Sequence, residues 1–83
     1  MEEKEIGVVS NYFDHVGAAA VKLTDSLKIG DKIRIHGGEV DFEQKVKKMQ
    51  LDRIDVKAGE DGDEVGIMLE QKVRKGYKVF KLK

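Results

Sequence analysis

Glycine is the strongest punctuation in this chain. Nine glycines stand at positions 7, 17, 30, 37, 38, 59, 62, 66 and 76, and proline is absent. Turns must therefore come from glycine, helped by Asp and Asn. The spacing cuts the chain into short apolar runs, as a succession of strands requires. No low-complexity stretch and no internal repeat stands out.

The runs alternate with period two, the mark of strands with one buried face. A first strand is expected from Glu5 to Phe13, turned by Asp14-His15-Val16-Gly17. A second runs from Ala18 to Thr24, with Ala19, Val21 and Leu23 on one face. Gly30-Asp31 opens a third, in which Ile33 and Ile35 oppose Lys32, Arg34 and His36, and Gly37-Gly38 ends it. Gly59-Glu60-Asp61-Gly62 reads as a loop before a strand from Asp63 to Glu70. Arg74-Lys75-Gly76 turns the chain into a last strand from Tyr77 to Leu82, whose doubled Val79-Phe80 suggests a bulge or a buried edge. Gly17, Gly30, Asp31, Gly62, Asp63 and Gly76 are the expected structural turn residues.

Val40 to Val56 reads two ways. Phe42, Val46 and Met49 are spaced like one face of a helix, and Glu43, Gln44, Lys45, Lys47 and Lys48 are good helix formers. Met49, Leu51 and Ile54 can also fall on one strand face if a bulge resets the register after Val46. Local propensity favours the helix.

At 83 residues the chain is expected to form one domain, 1–83. A domain of this size buries only about 60% of the surface its unfolded chain exposes, which leaves little room for an enzyme cleft with its supporting shell. Cysteine is absent, which excludes disulfides and thiol chemistry. The opening Met1-Glu2-Glu3-Lys4-Glu5 is unlike a secretory signal, and no apolar run approaches the ~20 residues of a membrane span. A cytoplasmic setting with no membrane partner is expected.

Recognised catalytic motifs are missing. No Gly-Lys pair ends a phosphate-binding loop, and no two glycines stand two apart as a dinucleotide site needs. Ser10 and Ser26 sit in no nucleophile elbow. His15 and His36 fall in a turn and at a strand end, where surface roles are ordinary. Glu60, Asp61, Asp63 and Glu64 lack calcium-loop spacing and read as a solvated turn. No enzyme activity, no nucleotide hydrolysis, no cofactor and no metal are expected.

Charge is balanced overall, with 16 basic and 16 acidic side chains, which disfavours a purely electrostatic nucleic-acid binder. Its distribution is uneven. Positions 72–83 carry Lys72, Arg74, Lys75, Lys78, Lys81 and Lys83 and no acid. Lys45, Lys47, Lys48, Arg53 and Lys57 form a second basic series. Tyr12, Phe13, Phe42, Tyr77 and Phe80 are the aromatics available for stacking on bases.

In order, Gly7-Val8-Val9, Val16-Gly17-Ala18-Ala19-Ala20-Val21, Leu27-Lys28-Ile29-Gly30-Asp31-Lys32-Ile33, Val46-Lys47-Lys48-Met49-Gln50, Gly62-Asp63-Glu64-Val65-Gly66-Ile67 and Val73-Arg74-Lys75-Gly76 resemble the second domain of translational GTPases. That domain is the β-barrel following the GTP-binding domain of elongation factor Tu and its relatives. The resemblance spans Ile6 to Leu82. It implies an all-β fold, a small six-stranded antiparallel barrel, which would make Val40–Val56 a strand against its propensity. It also implies a stand-alone translation-factor-like module that binds RNA or the ribosome without GTPase activity. Lys45, Lys47, Lys48, Lys72, Arg74, Lys75 and Lys78 are the candidate contacts for RNA or another partner. This chain departs from the family at Tyr77, where a small or acidic residue often follows the Arg-Lys-Gly turn. A related barrel is an accessory domain on collagenase-like peptidases, so the alternative reading is a protein-interaction module or accessory subunit for such an enzyme.

Any of these readings places Ile67 inward. Ile67→Asp should abolish folding, because the variant would bury an unpaired charge. A well-dispersed amide NMR spectrum from this variant would refute the register.

Overall fold

The computed structural model describes residues 3–82. Every regular element among them is a strand. These are β1 (Glu3–Phe13), β2 (Ala18–Leu23), β3 (Leu27–Lys28), β4 (Lys32–Gly37), β5 (Val40–Lys45), β6 (Met49–Leu51), β7 (Ile54–Asp55), β8 (Ala58–Gly59), β9 (Glu64–Met68) and β10 (Lys78–Leu82). Eight of them form one antiparallel sheet in the order β5-β4-β10-β1-β2-β9-β6-β7, and β3 pairs with β8.

Three turns of one design set the registers. Asp31, Asp63 and Tyr77 each donate their backbone N–H to the carbonyl three residues back, at Lys28, Glu60 and Arg74, over 3.1, 2.9 and 3.2 Å. The third residue of each turn is a glycine with φ of 94°, 93° and 97° (Gly30, Gly62 and Gly76). Such a φ strains any other L-residue. Each turn then grips a buried residue of another strand with two backbone bonds. Gly30 N–H donates to Val46 O (2.8 Å), and Val46 N–H to Asp31 O (2.9 Å). Gly62 and Asp63 hold Leu23 in the same way at 2.9 and 2.8 Å, and Gly76 and Tyr77 hold Val9 at 2.8 and 2.8 Å. The ladders β4–β5, β9–β2 and β10–β1 start immediately beyond these clamps. This repetition shares only a glycine at one position, which explains why no repeat is visible in the sequence.

The first two turns are reinforced by their aspartates. Asp31 Oδ2 accepts the Lys28 N–H and Asp63 Oδ2 accepts the Glu60 N–H, both at 3.0 Å. Tyr77 occupies the same position in the third turn and has no carboxylate to do this.

Ile33, Ile35, Phe42, Met49, Val65, Ile67 and Val79 join Ile6, Val9, Val21 and Leu23 in one buried cluster. Two bulges on β1 let the sheet curl around it. Glu5 pairs with Phe80 and Gly7 with Val79, which leaves Ile6 unpaired in that ladder, and the β1–β2 register slips again between Val9 and Asn11. The first bulge thus lies opposite the doubled Val79-Phe80.

The sequence expectation of six strands closed into a barrel is not met in detail. No ladder joins the edge strands β5 and β7 among the described residues. One side chain bridges the open side instead. Gln44 on β5 is 7% exposed. Its Nε2 donates to Met68 O, and its Oε1 accepts the Glu70 N–H, both at 2.9 Å.

Val40 to Val56 holds three short strands, β5, β6 and β7, where the resemblance implied one, and not the helix that local propensity favours. Phe42, Gln44 and Val46 face inward with period two, and Phe42 pairs with Ile35. The polar Gln44 conceals that alternation in the sequence. A two-residue hairpin at Asp52-Arg53, both at positive φ (52° and 66°), then reverses the chain between β6 and β7.

Gln44→Leu should lower the unfolding free energy by ~1–3 kcal/mol, because it strips partners from a carbonyl and an N–H at the seam. Urea denaturation checks this, and an unchanged midpoint would mean water replaces the amide without cost.

Candidate functional site

The candidate cations fall into two groups. Lys45 ends β5, and Lys47 and Lys48 lie exposed between β5 and β6. Lys72, Arg74 and Lys75 lie on the segment leading to β10, and Lys78 begins that strand. Three of the seven are matched by acids: Lys47 with Glu70 (3.6 Å), Lys72 with Asp14 (3.2 Å) and Lys78 with Glu5 (3.6 Å). The acid-free tail therefore borrows acids from β1 and from the turn that follows it. Exposed pairs of this kind add little stability, but they cut the surplus positive charge that phosphate binding needs.

The strongest charge cluster lies elsewhere. Arg34 on β4 donates through Nε to Asp41 Oδ1 (2.7 Å) and through Nη2 to Asp41 Oδ2 (2.5 Å). Its Nη1 reaches Glu3 Oε2 (2.7 Å), so one guanidinium ties β5, β4 and β1 across β10. The hydrogen bonds from Arg34 hold the Asp41 carboxyl below the usual carboxylate range. Those from Asp41 and Glu3 push Arg34 further above its already high value. Asp25 is likewise lowered, chiefly by the hydrogen bond from Lys4 and then by the Ser26 N–H. These cations are committed to carboxylates within the fold.

An apolar patch that the sequence reading did not single out lies near one end. Phe13 pairs with Ala18 across β1–β2, and Ala18 with Met68 across β2–β9, so the three side chains share the outer face. Phe13 is 41% exposed and Met68 44%, while Val16, in the adjoining turn, is 51% exposed. Ala18 and Gly66 are small enough to leave a shallow depression of about 190 Å³ there, bordered by Lys48 and Gln50. Gln44 holds the Met68 carbonyl from the inner side. Met68 stands in period-two alternation with Ile67, but nothing in the sequence marks it as part of a patch.

A second groove, of about 320 Å³, lies on the other side of the Asp14–Gly17 turn, between Tyr12 and Tyr77, with Lys72 and Arg74 at its margin. His15 and His36 sit exposed on different elements. Among the described residues no three His, Cys, Asp or Glu side chains gather as a metal site would require. Among the described residues no helix is long and apolar enough to cross a membrane.

The chain is 41% identical over 80 residues to an uncharacterized protease of Methanocaldococcus jannaschii. The likeness is to peptidases, not to translation factors. The match takes in 95% of this chain and 20% of that protease, so the chain spans about one fifth of the length of its curated relative. In fold it is similar to the crystal structure of the C-terminal domain of a presumed U32 peptidase from Geobacillus thermoleovorans. That comparison gives a TM-score of 0.90 at 19% identity and covers 96% of this chain and 93% of that one. The selenomethionine variant of the same domain gives 0.87 at 19% identity, covering 92% and 96%. No protein-family model matches the chain.

These findings correct the translation-factor resemblance and, with it, RNA or the ribosome as the partner. The physical reason is in the turns. Leu-x-x-Gly-Asp, Gly-Asp-x-Val-Gly-Ile and Arg-Lys-Gly, which carried the resemblance, are the three clamps that start ladders. They report how this kind of sheet is built, and a fold does not specify a function.

Asp41 provides a pH test. Its folded-state pKa lies below the ordinary 3.8, so its contribution is present above that value and is lost as the pH falls through the lowered one. The stability difference between the parent chain and Arg34→Gln should therefore narrow as the pH drops below 3.8. Urea midpoints measured across the acid range check this, and a pH-independent difference would remove Asp41 from the account.

Proposed function

We propose that residues 1–83 act as one non-catalytic accessory domain of a peptidase, binding to the part of the enzyme that carries the chemistry. The observation that carries this reading is the 41% identity over nearly the whole chain to one fifth of a protease. The remaining four fifths is the natural partner for an exposed apolar face. The fold likeness to the C-terminal domain of a presumed U32 peptidase supports the same assignment.

The docking surface in this reading is the row Phe13, Ala18 and Met68 with Val16 beside it. Apolar side chains of this size, exposed together at the end of a rigid sheet, mark an interaction surface better than scattered ones do. The curled sheet, joined across its open side by Gln44, serves as an incompletely closed barrel that keeps the row in place. Lys48, at the margin of the depression, belongs to the polar rim expected around such an interface.

The M. jannaschii protease lacking its matching fifth is the direct probe. Calorimetric titration with the 83-residue chain should show binding, and Met68→Asp should weaken it by at least about tenfold, as removal of a central apolar anchor does. Met68 is exposed, so the variant keeps its fold, which its NMR spectrum verifies. Absence of binding by the parent chain at high micromolar concentrations would overturn the proposal.

A further inference from the structure

We propose that the groove between Tyr12 and Tyr77 binds an extended peptide segment that carries a carboxylate, held at Arg74. The inference stands on the third turn. In the first two turns the closing residue is an aspartate that accepts the first residue's N–H. In the third that position is Tyr77, and its ring has another place. It lies along the backbone of Gly37 and Gly38. A Cβ at Gly37 would come within 2.4 Å of the ring, and one at Gly38 within 2.9 Å of the phenol oxygen. The absence of a Cβ at both glycines is what lets the ring lie there, and the ring lines the groove.

Tyr12, the buried Val73 and the half-buried Val40 line the groove with that ring. The volume, about 320 Å³, is at the low end of the ~300–1,000 Å³ typical of ligand sites. It suits one aliphatic side chain flanked by backbone. Charge selects the neighbouring group. Lys72 is matched by Asp14, whereas Arg74 has no carboxylate within 4.0 Å among the described residues. The groove therefore carries a surplus guanidinium, whose planar fork suits a carboxylate.

The sheet edge selects a peptide over other anions. Val40 both lines the groove and begins β5, the edge strand of the sheet. A segment leaving the groove along the start of β5, before the Gln44 bridge, meets main-chain groups that have no strand partner on that side, as in strand addition. The inference does not require the peptidase reading, since it concerns the opposite side of the Asp14–Gly17 turn from the Met68 patch.

The test titrates the isotope-labelled 83-residue chain with three short peptides, followed by amide shifts. One is end-blocked and contains Leu-Glu, one is its end-blocked Leu-Gln counterpart, and one is the Leu-Gln peptide with a free carboxyl terminus. Shifts should concentrate at Tyr12, Val40, Asp41, Val73 and Tyr77. Affinity for the Leu-Glu peptide should exceed that for its blocked Leu-Gln counterpart by about fivefold, the scale of one partly exposed ion pair. Arg74→Gln should erase that preference. Tyr77→Asp, which gives the third turn the aspartate of the other two, should keep the fold and abolish binding. Stronger binding by the free-carboxyl peptide than by Leu-Glu would assign the carboxylate to a chain end, and the reverse would assign it to an acidic side chain. Equal affinity for all three peptides, shifts centred on Met68, or no shifts at millimolar peptide would overturn the proposal.

Discussion

The structure depends on one repeated backbone arrangement. A glycine N–H and the carbonyl of the next residue grip the peptide group of a buried residue in another strand, at Val9, Leu23 and Val46. Each grip fixes where a ladder begins, and a ladder that starts one residue out of place would turn every inward side chain to solvent. With three ladders started correctly, Ile33, Ile35, Val65, Ile67 and Val79 meet in one core without a disulfide. A chain this short has a thin core, so a small number of well-placed backbone bonds does much of the specification.

The remaining constraints close what the clamps begin. The unpaired Ile6 and the register slip before Asn11 bend β1, so β10 and β2 wrap the same core from two sides. The open side is spanned by Gln44, whose amide satisfies a donor and an acceptor at the end of β9. A buried polar side chain is tolerated there because both of its ends are paired. Arg34 ties three strands on the outside with a forked contact to Asp41 and a bond to Glu3.

The same end of the sheet carries both surfaces of interest. The Phe13, Ala18 and Met68 row lies on one side of the Asp14–Gly17 turn, and the Tyr12–Tyr77 groove on the other. A module built to dock through one and hold a peptide segment in the other would place that segment beside its host. Of the seven basic residues that suggested RNA, Lys47, Lys72 and Lys78 are matched by Glu70, Asp14 and Glu5.

Period-two alternation and glycine punctuation placed strands, from the sequence alone, at 5–13, 18–24, 63–70 and 77–82 and between Gly30-Asp31 and Gly37-Gly38, within two residues of Glu3–Phe13, Ala18–Leu23, Glu64–Met68, Lys78–Leu82 and Lys32–Gly37, because a strand's faces and a turn's positive φ are local requirements. Gln44 and the hairpin at Asp52-Arg53 escaped that reading. A polar residue broke the apolar alternation, and no glycine marked the reversal, so helix-forming lysines dominated locally until pairing with β4 overrode them. The turn signatures were legible as turns but misleading as function, because they encode backbone grips common to a way of folding. Only the tertiary structure decided which cations were neutralised, that Met68 joined Phe13 on one face, and that Tyr77 lay on Gly37-Gly38. Each of those depends on strands distant in sequence being brought together in register.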